Sequence, residues 1–165
     1  MISLNIAEVK QFMAKLLTNT TFDEFILREL ELQTFTAFSI SGQFNEAFFS
    51  KEELEDREDK KYVFWSDVRQ IVFSMIKGSR TPLSLKIVFQ LPVPLASQLV
   101  IQSGARLQPE EVGGLYLNIR FEKNELHMIS GAAMKTFILD KTIEKEWDVE
   151  VKKILKANGI GFEEE

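Results

Sequence analysis

Two stretches of alternating apolar and polar residues flank a short turn and constrain the fold of this chain more than any other feature. Leu115, Leu117, Ile119 and Phe121 alternate with Tyr116, Asn118, Arg120 and Glu122. The residues 122–125 are typical of a turn because asparagine tolerates a positive φ angle. A two-residue loop at 123–124 then sets three facing pairs: Phe121 with Leu126, Ile119 with Met128, and Arg120 with His127. Apolar side chains meet apolar ones, which predicts an antiparallel hairpin in this register.

Two further stretches have strand character. Residues 25–44 form either one long bent strand or two shorter strands broken near Thr34–Ala37, and the pattern allows both. Residues 83–91 alternate in the same way and end at Pro92 and Pro94, because proline cannot donate to a ladder.

The remaining apolar periodicity predicts helices. One begins at Asn5 as its N-cap and ends near 19–21. A capping box at Ser50 opens a short charged helix or turn through Lys61, and a further helix has Ser66 as its N-cap and ends at Gly78. A fourth covers 95–103 before Gly104, although Val100 and Ile101 also allow a strand there. The last helix begins at Asp140 and ends at Gly159.

These elements predict a single α+β domain over residues 1–165, with a mostly antiparallel sheet of about five strands and helices packed on one face. The tail 160–165 is expected to fray. The predicted core consists of Val68, Ile71, Val72, Met75, Leu85, Ile87, Phe89, Leu117, Ile119, Trp147 and Val151.

Composition removes several function classes. The 165 residues include no cysteine and one histidine, which excludes thiolate metal sites, disulfides and a cysteine nucleophile. No nucleophile elbow or phosphate-binding loop is present. We therefore expect no catalytic residue, no metal site and no cofactor of a common kind. The most apolar tract, 83–101, is too polar to span a bilayer, and no signal peptide is evident, so we expect a cytoplasmic protein without membrane contact.

Charge is distributed unevenly. Residues 60–106 hold seven basic residues against one acidic residue, which gives +6 in a chain whose net charge is −5, so the remainder sums to −11. A local positive field of this kind can attract an anion or an acidic partner. Within it, aromatic and basic residues recur every four positions on the third predicted helix, and two more basic residues follow: Trp65, Arg69, Phe73 and Lys77, then Arg80 and Lys86.

Those six residues are the candidate binding residues. Aromatic side chains between basic ones are suited to stacking on bases and neutralising phosphates. The alternative is that Trp65 and Phe73 widen the buried face of the helix while Arg69 and Lys77 extend to solvent. A secondary candidate face is formed by Tyr116, Arg120 and His127 on the hairpin, which could serve an enzyme of unfamiliar type.

The segments 64–69 (Phe-Trp-Ser-Asp-Val-Arg) and 76–82 (Ile-Lys-Gly-Ser-Arg-Thr-Pro) resemble hypothetical proteins of a domain-of-unknown-function family from anaerobic Firmicutes. The resemblance extends over most of the chain. It implies a bacterial cytoplasmic protein and no particular activity.

The expected function is a non-enzymatic binding or protein-interaction module that uses the basic, aromatic-lined segment 60–106. An acidic protein partner or self-association through opposed patches would suit this charge distribution. Two alternatives stay open: single-stranded nucleic-acid or anion binding through Trp65, Arg69, Phe73, Lys77 and Arg80, and an enzyme that uses carboxylates or the Tyr116/Arg120/His127 face.

Overall fold

A computed structural model describes residues 1–57, 59, 61–76 and 80–165. The strands are β1 Ser3–Ile6, β2 Ile26–Gln33, β3 Ala37–Ser41, β4 Ser84–Gln90, β5 Val112–Glu122, β6 Glu125–Met134 and β7 Phe162–Glu164. The helices are α1 Val9–Leu17, α2 Lys51–Glu55, α3 Trp65–Met75, α4 Val93–Ser103 and α5 Thr142–Ala157. Short 3-10 turns lie at Glu46–Phe48 and Pro109–Glu111.

All seven of these strands join one antiparallel sheet in the order β3-β2-β4-β5-β6-β1-β7. The α+β class is confirmed, but the sheet has seven strands rather than about five. The hairpin of β5 and β6 has the predicted register, with Lys123 and Asn124 both at positive φ in its loop. Residues 25–44 form two strands, since β2 and β3 are a hairpin.

The helices cover one face of the sheet, called here the inner face, where Leu85, Ile87 and Phe89 of β4 are buried. Trp65 of α3 packs edge-on against Phe89 at 5.3 Å between ring centroids, and Trp147 of α5 is fully buried. Most of the predicted core is confirmed. The exception is Ile71, which is 54% exposed because the buried stripe of α3 passes through Trp65 and Val72 instead. Val68 and Met75 are partly buried against the core.

Two predicted helix starts are wrong. Asn5 lies inside β1 rather than capping α1, because Leu4 and Ile6 alternate into the core as a strand requires. Ser66 does not cap α3. The helix begins one residue earlier, and the Asp67 carboxylate accepts a hydrogen bond from the Phe64 backbone N–H at 2.8 Å.

Other predicted helix ends agree with the structure. Ser50 and Glu53 form the reciprocal capping box of α2, and Gly104 ends α4 with φ of 73°. Asp140 accepts hydrogen bonds from the Thr142 hydroxyl and backbone N–H, and these bonds lower the pKa of its carboxyl group. Gly78, the predicted end of the third helix, lies outside the described residues.

The tail does not fray as expected. Phe162–Glu164 pairs with β1 as β7, because β1 offers an open edge beside which Phe162 packs against the core. Among the described residues, no helix has both the length and the apolar character needed to cross a membrane.

Candidate functional site

The aromatic and basic stripe of α3 does not form one exposed surface. Trp65 is fully buried, and its indole N–H donates to the Leu16 carbonyl at 2.8 Å. Arg69 forms an ion pair with Asp23 at 2.8 Å. Phe73 is 49% exposed and is the most accessible aromatic residue of the stripe. The first half of the stripe therefore joins α3 to the rest of the fold.

The other three candidate residues are dispersed. Lys77 lies outside the described residues. Arg80 is exposed and lines a cavity with Phe35 and Leu83 beyond the end of α3. Lys86 lies on the sheet face opposite the helices, called here the outer face, and pairs with Glu29 at 3.2 Å. Trp65 and Lys86 are thus on opposite sides of the sheet.

The secondary candidate face is also divided. Arg120 faces His127 across the hairpin as predicted, and Arg120 is exposed. The two ring nitrogens of His127 lie 3.3 Å from Glu125 and 3.0 Å from Glu165. Tyr116 is four residues from Arg120 along β5, and its hydroxyl group contacts Arg28 instead. The three residues share a sheet face but do not form one pocket.

The structure brings together a different group, which sequence reasoning missed. An Arg28 guanidinium nitrogen (Nη1) donates to Gln90 Oε1 at 2.8 Å and to the Tyr116 hydroxyl at 3.2 Å. The guanidinium carbon lies 4.1 Å from the ring centroid of Tyr62 and 5.7 Å from that of Tyr116. These are the only two tyrosines of the chain. We call Arg28, Tyr62, Gln90 and Tyr116 the arginine cleft.

A β-bulge positions the arginine. Leu27 pairs with Phe89 and Glu29 pairs with Val88, so Arg28 is the extra residue of β2 at this point. A bulge redirects a side chain and bends its strand. Arg28 is thereby directed to the end of the outer face where Gln90 and Tyr116 lie opposite each other.

Two glycines lie beside Tyr116, and one of them leaves the space that its ring occupies. A Cβ atom on Gly114 would lie 2.7 Å from the ring carbon and hydroxyl oxygen of Tyr116, so the ring covers this glycine. Gly131 is the cross-strand partner of Tyr116, and a Cβ there would meet only ordinary contacts at 3.9 Å or more. The ring position therefore depends on Gly114 far more than on Gly131.

Two cavities of about 480 and 490 Å³ meet at the arginine cleft, and Arg28 and Tyr62 line both. The first also borders β3 through Ser39 and Ser41. Charged residues line the second in addition to Arg28: Lys61, Lys135, Asp59 and Glu110. The Asp59 carboxylate already accepts two backbone hydrogen bonds, from residues 61 and 62. The described residues include no group of three or more acidic or histidine side chains arranged to hold a metal ion.

Arg28 differs from the other two half-buried arginines. Arg57 pairs with Asp67 at 2.6 Å, and Arg69 pairs with Asp23 at 2.8 Å. Arg28 is equally half-buried, yet within the described part of the chain its partners are a neutral amide, a neutral hydroxyl and two rings. A buried charge is ordinarily paired. The cleft thus carries a positive charge whose described partners are all neutral.

The comparisons with known proteins bear on the whole chain. Residues 15–163 match the model of a family described as "Family of unknown function (DUF5721)". The chain belongs to this family. Neither the curated proteins nor the solved structures include a significant match. All four residues of the arginine cleft lie within the part of this DUF5721 protein that the family model covers.

One sequence signal could have located Arg28. In Leu27-Arg28-Glu29-Leu30, two polar residues separate two apolar ones, whereas strict strand alternation allows one. Such a slip in alternation indicates a bulge. The other three residues carry no comparable signal, because they come from separate segments that only the fold brings together.

Proposed function

We propose that this DUF5721 protein is a non-enzymatic binding module that takes a carboxylate of an acidic protein segment at the arginine cleft. The observation that carries the proposal is the half-buried Arg28 guanidinium, whose described partners are neutral, at the junction of two cavities. The proposal keeps the interaction function expected from the sequence and transfers it to a different site.

The chemistry of the cleft fits a single carboxylate. Guanidinium presents five N–H donors in a planar fork that matches the two oxygens of a carboxylate. One nitrogen of Arg28 is engaged by Gln90 and Tyr116, which fixes the plane of the group. Within the described residues, its other two nitrogens have no hydrogen-bond partner and can donate to an anion. Tyr62 covers one face of the guanidinium, and a group held by this ring and two hydrogen bonds needs little reorganisation when an anion binds.

The charges around the cleft favour a peptide over a nucleic acid. Glu29, Asp59 and Glu110 line the same two cavities, and they would repel a chain of phosphates. Nucleic-acid affinity arises from several phosphate contacts at once. Lys61 and Lys135 balance two of these carboxylates, and Lys86 pairs with Glu29, which leaves the charge of Arg28 for one anionic side chain.

The two alternatives from the sequence have less support. Nucleic-acid binding through the α3 stripe requires stacking on Trp65, which is fully buried. An enzyme at the hairpin face requires Tyr116, Arg120 and His127 to act together, and they contact different groups.

A matched pair of small ligands tests the proposal. The α-amides of N-acetylglutamate and N-acetylglutamine differ by the one side-chain carboxylate, and each is titrated while the Arg28 Nε–Hε signal is followed by NMR. We expect the glutamate to shift that signal with weak affinity, since hydrogen bonds to charged groups contribute about 1.5–3 kcal/mol. The glutamine is expected to leave it unchanged. Equal responses to both ligands, or no response to either, would contradict the proposal.

Variants assign the binding to the cleft. Acidic peptides on an array are expected to bind wild type and the Arg120→Gln variant, because Arg120 is an exposed arginine on the same sheet face. Arg28→Gln should abolish binding, and Arg28→Lys should weaken it because the fork is lost.

Gly114→Ala should also weaken binding by displacing the Tyr116 ring, while Gly131→Ala should not. If both alanine variants bind as well as wild type, the position of that ring is not needed.

We also propose a cytoplasmic location and an origin among anaerobic Firmicutes, on the resemblance carried by residues 64–69 and 76–82. Cell fractionation with an antibody against the chain tests the first of these.

A further inference from the structure

One edge of the sheet is open. β3 pairs with β2 on one side, and among the described residues no strand lies on its other side. Its odd-numbered residues, Ala37, Ser39 and Ser41, are exposed, and its even-numbered residues, Phe38 and Ile40, are half-buried against the core.

The hydrogen-bond pattern determines which backbone groups point outward. The Gly42 N–H donates to the Arg28 carbonyl, and the Thr34 N–H donates to the Thr36 carbonyl. In an antiparallel hairpin, hydrogen-bonded pairs alternate with non-hydrogen-bonded pairs. Phe38 and Ile40 therefore bond to β2, and the N–H and C=O groups of residues 37, 39 and 41 point away from it.

This edge lacks the devices that prevent strand addition. Natural edges are made short, charged or bulged, or they contain proline. β3 has five residues, and none is charged or proline. The adjacent loop residue Phe35 is 81% exposed and packs edge-on against Phe38 at 5.8 Å.

We propose that β3 pairs with β3 of a second copy of this chain, antiparallel and two-fold symmetric about Ser39. In that register Ser39 faces Ser39 of the copy, and residue 37 faces residue 41. These are the residues whose backbone groups point outward, so each facing pair can exchange two hydrogen bonds. The two sheets become one continuous sheet.

The register is self-complementary on both faces. On the inner face Phe38 lies opposite Ile40 of the copy, an aromatic and β-branched pair that stabilises strand pairing. On the outer face small residues meet across the axis, and no like charges lie directly opposite. Glu31, the neighbour of Ser39 on β2, is separated from the Glu31 of the copy by two intervening strands and has Lys86 beside it. An uncharged edge that matches itself favours a second copy over a charged partner.

The absence of cysteine makes a direct test possible. Residues facing each other in a hydrogen-bonded pair have Cα atoms about 5.5 Å apart, which a disulfide can bridge. We expect Ser39→Cys to form a covalent dimer on mild oxidation. Ser41→Cys should not, because its two copies lie about 13 Å apart at about 3.3 Å per residue. An equimolar mixture of Ser41→Cys and Ala37→Cys should form the mixed dimer.

Sedimentation of the cysteine-free protein provides the second measurement. We expect a dimer fraction that rises with concentration between about 1 μM and about 1 mM, a range that covers weak specific pairs. Ser39→Lys and Ser39→Glu should each shift the protein toward monomer, and their mixture should restore the dimer through opposite charges.

Three outcomes would overturn the proposal: a monomer at all concentrations, equal cross-linking at 39 and 41, or capture of an extended peptide of another protein with no dimer. The Arg28→Gln variant should dimerise normally, so loss of carboxylate binding and loss of the dimer are separate results.

Discussion

The two edges of the sheet are built in opposite ways. β7 has three residues, and two of them are glutamates. Lys152 pairs with Glu164 at 2.7 Å, and the next residue, Glu165, lies 3.0 Å from His127 and accepts a hydrogen bond from Ser3. β3 has five residues and no charge. One edge is short and acidic, whereas the other is longer, neutral and flanked by an exposed phenyl ring.

The difference in charge between the two edges indicates which end of the sheet is available for an interaction. The carboxylates at and directly after β7 repel an incoming strand. They also contact β1, β6 and α5, so this edge of the sheet is not available to pair with another strand. At the other end the arginine cleft and the β3 edge share a cavity wall through Ser39 and Ser41. Both proposed interactions therefore lie at the same end of the sheet.

The largest expected effect on stability contrasts the residues of β3 that bond to β2 with those whose backbone groups point outward. Ile40→Pro removes an N–H that bonds to β2 and leaves a carbonyl of Leu30 without its partner. We expect a loss of at least about 2 kcal/mol in the free energy of unfolding, since an unsatisfied buried group alone costs 1–3 kcal/mol. Ser39→Pro removes an N–H that faces solvent in the monomer and should cost much less.

Urea unfolding of dilute protein measures both variants, at concentrations where the wild type is monomeric. Equal losses for the two prolines would mean that Ser39 also bonds within the chain. The open edge, and with it the two-fold register, would then be wrong.

A smaller effect contrasts a phenylalanine at each edge. Phe162 of β7 is half-buried against the core and lies opposite Ile6. Removing a fully buried phenyl ring costs about 3–5 kcal/mol, so Phe162→Ala should cost about half of that. Phe35→Ala, at an 81% exposed position, should change stability by less than about 0.5 kcal/mol.

Thermal unfolding and sedimentation together check this pair. Phe35→Ala is expected to weaken dimerisation while leaving the melting temperature nearly unchanged. Phe162→Ala should lower the melting temperature and leave dimerisation nearly unchanged. A large loss of stability from Phe35→Ala would show that this ring serves the monomer.

The sequence predicted the elements whose signal is local. The β5–β6 hairpin could be placed with its register because the eight alternating residues 115–122 and an Asn-containing turn agree. The buried stripe of α5 could be placed because Ile143, Trp147 and Val151 recur every four residues over about two turns. Seven strands were not predicted, because β1 and β7 have four and three residues and are strands only beside β6 and each other.

The arginine cleft could not be assembled from the sequence. Its residues are separated by 34, 28 and 26 positions along the chain. Pairing between β2, β4 and β5 brings three of them together, and Tyr62 reaches them from a segment bridged to Gln43. The stripe of α3 was misleading for a related reason. Helical spacing places Trp65 and Arg69 on one side of α3, but it does not reveal that α1 and the segment after it cover that side.

The smallest expected effect concerns the charges that close β7. Lys152 and Glu164 are 29% and 50% exposed, and exposed ion pairs contribute about 0.2–1 kcal/mol. A double-mutant cycle with Lys152→Met and Glu164→Gln should give a coupling energy in that range at low salt and less at high salt, because ions screen exposed charges. We expect the single variant Glu164→Gln to remain folded and to gain little self-association, since β7 is still only three residues long. A coupling energy well above 1 kcal/mol would mean that this ion pair, rather than the packing of Phe162, holds β7 on the sheet. The main role of the acidic residues at this edge would then be to hold β7 on the sheet, and preventing strand addition would be secondary.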